Sequence, residues 1–266
     1  MRIRKLWPGI FALALAGCAL WAAPVFPCRT LPAESALVPA ASSSAAASSS
    51  GEPAVSAPEE EPLPASYVLR DFPIVYQLPE LPTGCEITAL AMVLQFYGLD
   101  ADKVLLAREY LPTLPAQLYY GEDGLLYGPD LENFFVGDPA TENGYVCGTG
   151  AILSAAQAYL ADQGSSLQAL DFSGARPEDL YRLIHQDTPA LVWVTIAMEE
   201  REPTEGWYTE DGQYQEWSVN DHGAVLIGYT EDTVLLADPL AGLAEYSRSA
   251  FESVYASRGS RCVILR

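Results

Sequence analysis

The stretch Tyr76-Gln77-Leu78-Pro79-Glu80-Leu81-Pro82-Thr83-Gly84-Cys85-Glu86-Ile87-Thr88-Ala89-Leu90-Ala91-Met92-Val93-Leu94 changes character at one residue. Up to Gly84 it is a loop punctuated by proline and glycine. From Cys85 onward Ile87, Leu90, Ala91, Val93 and Leu94 recur at helical spacing, which predicts a helix opening at the cysteine. The free first-turn amides and the helix dipole favour an anion there, and so lower a thiol pKa from its usual value of about 8.5. Cys85 is therefore a candidate nucleophile. Equally, free cysteines are among the most buried residues, and a packing role stays open on this stretch alone.

A nucleophile needs a base, and the chain has only 2 histidines. His185 lies beside Gln186 and Asp187 in a helix of mixed polarity and reads as a solvated surface residue. His222, in Asn220-Asp221-His222-Gly223-Ala224-Val225, opens an apolar strand, where its ring is available to a cleft. Hairpin geometry adds a third group. If Thr230-Glu231-Asp232 is the turn, Tyr229 stands opposite Thr233 and Asp238 opposite Ala224. Asp238 is then two residues from His222 along the partner strand, on the same side of the sheet. A carboxylate there can hold the imidazole in one tautomer and orientation. Asp238-Pro239-Leu240-Ala241-Gly242 is also ordinary turn chemistry.

The N-terminus is a targeting segment and stands outside the fold argument. A basic Met1-Arg2-Ile3-Arg4-Lys5 precedes an apolar run ending in Leu15-Ala16-Gly17-Cys18. That tetrapeptide resembles the lipobox of bacterial lipoproteins, which implies cleavage before Cys18 and a lipid on its thiol. An uncleaved anchor of about 20 residues is the second expectation, and plain secretion the third. All three place the rest of the chain outside the cytoplasm. Residues 29–66 are rich in Ala, Ser, Pro and Glu and cannot bury enough apolar surface to order themselves. Such a tether of about 35 residues reaches roughly 30 Å or more.

Residues 67–266 are the folded part. Half of the 266 residues are apolar and 15 are tyrosine, so this is a packing chain. With 35 acidic against 14 basic side chains the net charge is -21, which excludes the basic footprint that nucleic-acid binding needs. The first half reads helical over 85–97, 101–110, 130–135, 150–162 and 177–186. The second half reads as strands over 190–196, 224–229, 233–237 and 262–265. That order predicts an α+β domain, helices packed on a mostly antiparallel sheet. The segments 114–148 and 199–219 are long, aromatic and irregular, and are candidates to line a cleft. Cys147 and Cys262 are candidates for a disulfide. No histidine or cysteine cluster has metal-ligand spacing, and no cofactor is expected.

Gln77 with Gly84-Cys85-Glu86-Ile87-Thr88-Ala89-Leu90-Ala91-Met92-Val93-Leu94 and Tyr97-Gly98 resembles the cysteine box of the family thirty-nine cysteine peptidases, the bacteriocin-processing, double-glycine-cleaving type within the papain-like superfamily. His222 to Tyr229 and Leu236 to Leu240 resemble that family's histidine and aspartate boxes, and Ser249-Ala250-Phe251-Glu252 its closing helix. The resemblance implies Cys85 as nucleophile, His222 as general base and acid, and Asp238 as orienter. It also implies Gln77 as an oxyanion donor beside the Cys85 amide. The expected function is cleavage of peptide bonds in a peptide or protein substrate by a surface-tethered enzyme. The alternatives are an amidase or transpeptidase on cell-wall peptides, and a non-catalytic peptide-binding domain. No transporter segments follow the domain, so leader cleavage coupled to export is not expected.

Overall fold

The computed structural model describes residues 62–266; the leader, Cys18 and most of the tether lie outside the described residues. In chain order the elements are β1 (Tyr67–Val68), α1 (Cys85–Phe96), α2 (Lys103–Leu105, continued by a π-helical turn over Leu106–Tyr110), β2 (Thr113–Leu114), β3 (Tyr119–Tyr120), β4 (Leu126–Tyr127), β5 (Phe135–Val136), α3 (Thr149–Asp162), β6 (Ala169–Asp171), α4 (Pro177–His185), β7 (Ala190–Thr195), β8 (Trp207–Tyr208), β9 (Tyr214–Gln215), β10 (Asp221–Tyr229), β11 (Thr233–Asp238), β12 (Gly242–Ser247), α5 (Arg248–Ser257) and β13 (Cys262–Leu265).

The main sheet runs β12-β11-β10-β7-β13-β6, with every neighbouring pair antiparallel. Every residue of β7 and β10 is buried, because helices cover these central strands and leave no side for water. Helix α1 packs on β10 and β7. Its first ten residues, Cys85 to Leu94, are all buried, so it is a core helix rather than the one-faced helix that spacing alone suggests. Thr88, Ala89 and Met92 supply the second face. The fold is α+β, as expected.

Two short segments bind the edges of this frame. The amide of Gln77 donates to the carbonyl of Pro239 at 2.9 Å, docking the loop before α1 onto the turn after β11. Lys103 holds the same loop, with Nζ 2.7 Å from Glu80 Oε2 and 3.0 Å from the carbonyl of Gln77.

Several local expectations are corrected. Residues 130–135 form no helix. Asp130 accepts from the amide of Glu132 and from Asn133 Nδ2, both at 2.7 Å, and this Asx turn leads directly into β5. The helix expected over 101–110 starts later, where Asp102 caps the Leu105 amide at 2.8 Å. Cys85, Cys147 and Cys262 are all free thiols, so the bridge considered for Cys147 and Cys262 is absent. Cys262 is fixed in β13 opposite Val192, whereas Cys147 lies in the approach to α3 with its amide on Glu86.

The β10–β11 hairpin is also tighter than expected. Its loop is the pair Glu231-Asp232, closed by the Thr230 amide on the Thr233 carbonyl at 2.8 Å, so Tyr229 faces Val234 and not Thr233. A bulge between Leu226 and Gly228 then restores the expected alignment, with Val225 opposite Ala237. The bulged strand also turns toward β1, where the Leu69 amide takes the carbonyl of Ile227 at 2.8 Å.

The aromatic segments 114–148 and 199–219 meet each other in a small sheet, β3-β4-β8-β9. Tyr119, Tyr127, Tyr208 and Tyr214 are directly paired across it and form one row, with ring centroids 5.7, 6.4 and 5.1 Å apart. Beneath lies a second apolar cluster of Leu131, Val136, Val146 and Trp207, with Tyr145 and Trp217 packed against it.

Candidate active site

The start of α1, the start of β10 and the end of β11 converge on one place. Cys85 is the first residue of α1 and retains 6% of its surface. Its helix can approach β10 closely because residue 223 is glycine: a Cβ there would stand 2.9 Å from the Cα of Glu86. The Gly223 amide consequently comes near enough to the Cys85 sulfur to pull the thiol pKa down.

His222, 2% exposed, brings Nε2 to 2.8 Å from Asp238 Oδ1. The same carboxylate oxygen accepts from the amides of Leu240 at 2.7 Å and Ala241 at 3.1 Å. Burial alone would raise the Asp238 pKa. The hydrogen bond and charge of His222, with the two amides, hold it below the usual carboxylate range instead. The Asp-Pro turn and the contact with His222 are thus the same structure, since one oxygen serves both. With Nε2 committed to Asp238, Nδ1 is the ring nitrogen left for a thiol proton.

Gln77 is 2% exposed, and its Nε2 donates to the carbonyl of Pro82 at 2.8 Å. Its Oε1 is buried without a partner. One amide hydrogen therefore organises the loop before Cys85, and the second is unused. His185 is exposed and sits edge-on to Tyr67 at 5.1 Å, away from this site, as its mixed surroundings suggested.

The thiol itself is not arranged as the helix terminus suggested. Cys85 Sγ donates to Glu86 Oε2 at 3.2 Å. Burial, and then the charge of Glu86, push the Cys85 pKa well up, against the opposing pull of the Gly223 and Glu86 amides. Glu86 is 1% exposed, and its other oxygen accepts the Cys147 amide at 3.2 Å. Reading the sequence for nucleophile, base and orienter passed over Glu86. The available signal was an acidic residue directly after the cysteine, inside an otherwise apolar helix.

Behind Glu86 lies a buried ion pair. Arg258 Nη2 is 2.9 Å from Asp221 Oδ2, with 7% and 1% of the two side chains exposed. Among the described residues no group of His, Cys, Asp and Glu is disposed to hold a metal ion.

A buried helix that opens on a cysteine and packs on an antiparallel sheet carrying a paired His and Asp defines the papain-like class of fold. The model of the Peptidase_C39 like family matches residues 69–263, and the chain belongs to that family. A crystal structure of a C39-like peptidase from Bacillus anthracis is 29% identical, with a TM-score of 0.66 over 76% of this chain and 97% of that one. The Bacillus subtilis (strain 168) protein YvpB is 29% identical over 189 residues, which is 71% of each chain.

Proposed function

We propose that this protein is an extracytoplasmic cysteine peptidase, held at the cell surface by a lipid on Cys18 and acting on peptide bonds through Cys85, His222, Asp238 and Gln77. The observation that carries the reading is the 2.8 Å His222–Asp238 pair, on the strand whose next residue, Gly223, lets the helix that opens on Cys85 pack against it.

The chemistry follows from the donors and acceptors at hand. His222 Nδ1 takes the S–H proton, and the thiolate sulfur bonds to the substrate carbonyl carbon. The carbonyl oxygen becomes an oxyanion, which the Cys85 amide and the free hydrogen of Gln77 Nε2 stabilise. The imidazolium returns its proton to the leaving amine as the C–N bond breaks. Water, deprotonated by His222, then cleaves the thioester. Asp238 keeps the ring oriented and offsets its positive charge.

One observation favours a second reading, a non-catalytic peptide-binding domain: the thiol bonds to Glu86 and not to His222. Incubating the full chain with a peptide library and identifying the products decides between the two. New termini that disappear with Cys85→Ala support the peptidase. Exchanged amines on cell-wall peptides point to a transpeptidase on the same scaffold. Binding without any product sinks both catalytic readings.

A further inference from the structure

Glu86 is a buried acid that the peptidase chemistry does not use, and its surroundings are unusual for a carboxylate. Its partners are a thiol and one backbone amide, each at 3.2 Å, and among the described residues no cation lies within ion-pair distance of it. Isolated buried carboxylates are costly unless hydrogen-bonded or paired. The charged and titratable groups around it are few. Cys85 is on its own helix, and His222, backed by Asp238, faces it from β10. Cys147 faces it from the approach to α3, with Glu132 behind that thiol. Arg258 lies beyond, at the end of α5, but is already committed to Asp221.

The two candidate partners of the Cys85 proton are therefore neighbours. Glu86 holds it at present, and His222 is on the strand that Gly223 allows to touch Glu86. Turning Sγ away from Glu86 needs only a rotation about its single side-chain torsion, a hop between staggered rotamers. We propose that Glu86 is a positioning residue that parks the nucleophile: in the resting protein the Cys85 S–H is bonded to the Glu86 carboxylate, and the site arms only when the sulfur turns to His222 and its proton passes to Nδ1. The proposal rests on the peptidase reading for what arming accomplishes. The parked state rests on the Sγ–Oε2 contact alone.

The test is the pH profile of iodoacetamide labelling in the full chain, each cysteine being read by mass spectrometry, for wild type and Glu86→Gln. Glutamine keeps the volume and the oxygen for the Cys147 amide but removes the charge. Parking predicts that the Cys85 profile moves to lower pH and that its labelling at neutral pH rises by about tenfold or more, the equivalent of one pH unit. Cys262, which has no contact with Glu86, should not move. An unchanged Cys85 profile in Glu86→Gln overturns the proposal.

Should Glu86→Gln fail to fold, infrared difference spectra of wild type against Cys85→Ala decide the matter. A hydrogen-bonded S–H band assigned to Cys85 at neutral pH supports parking, and its absence refutes it. The two readings fail separately. If His222→Ala slows labelling while Glu86→Gln does nothing, the peptidase pair stands and parking falls. If Glu86→Gln accelerates labelling and His222→Ala has no effect in either background, the contact with Glu86 stands, and the arming step through His222 falls together with the peptidase reading.

Discussion

His222 Nε2 and Asp238 Oδ1 lie 2.8 Å apart across β10 and β11, and the same Oδ1 closes the turn over Leu240 and Ala241. Asp238→Asn keeps one oxygen for all three donors but loses the charge and turns the second oxygen into an NH2 donor. Asp238→Ala loses every acceptor, leaving buried donors that cost about 1–3 kcal/mol each when unsatisfied. Peptide cleavage is expected to fall in both variants and much further in Asp238→Ala. The folded pKa of Asp238 is depressed below an unfolded value of about 3.9. The carboxylate thus contributes stability above that value and loses it as pH falls through the folded pKa. Melting curves should show wild type above Asp238→Asn near neutral pH, with the gap closing as pH drops below about 4.

Gln77 is expected to act through its unused amide hydrogen. Gln77→Ala should lower kcat by about two to three orders of magnitude, the usual result of removing one oxyanion donor. KM should change little, because the donor matters most once the oxygen is charged. An equal loss of activity and of thermal stability would instead assign Gln77 to holding the loop at Pro82.

Gly223 permits α1 and β10 to touch. Gly223→Ala places a methyl 2.9 Å from a backbone atom of Glu86, which cannot swing aside as a flexible side chain would. The helix must move, at a cost of about 1–3 kcal/mol for overpacking. Urea unfolding should register that loss, and labelling of Cys85 should change in the same variant because the start of its helix is displaced from β10.

Arg258 neutralises Asp221 under the site. Arg258→Met should cost up to about 3–5 kcal/mol near neutral pH, since it leaves the buried carboxylate with only the Ser218 amide at 2.9 Å and Arg201 at 4.0 Å. Burial already holds the folded pKa of Asp221 above its unfolded value, with Arg258 opposing the rise. Removing Arg258 raises it further, so the penalty is present at neutral pH and fades as pH falls and Asp221 protonates. Urea midpoints at about pH 7.5 and pH 4.5 should therefore differ more in the variant than in wild type.

Much of this molecule is written locally. The loop-to-helix change at Cys85, Pro177 at the start of α4, and the β-branched runs of β7, β11 and β13 each follow from spacing and residue type, so α+β and the elements carrying Cys85, His222 and Asp238 were legible in the sequence. Residues 130–135 were not, because an Asx turn and a first helical turn share the same acidic and amide residues. The hairpin was legible only by compensation. The turn is one residue tighter than its composition suggests, and the bulge near Ile227 puts Asp238 back in line with His222.

What the sequence by itself determined, then, is which elements carry Cys85, His222 and Asp238, since propensity, capping and alternation act over a few residues. Only the tertiary structure decided the state of those residues. The burial of Cys85 and Glu86, the free Cys147 and Cys262, and the Arg258–Asp221 pair depend on groups distant in the chain. A pKa or a bond between such groups is set by burial and by what packing brings within about 4 Å, and neither is encoded in the spacing of neighbours.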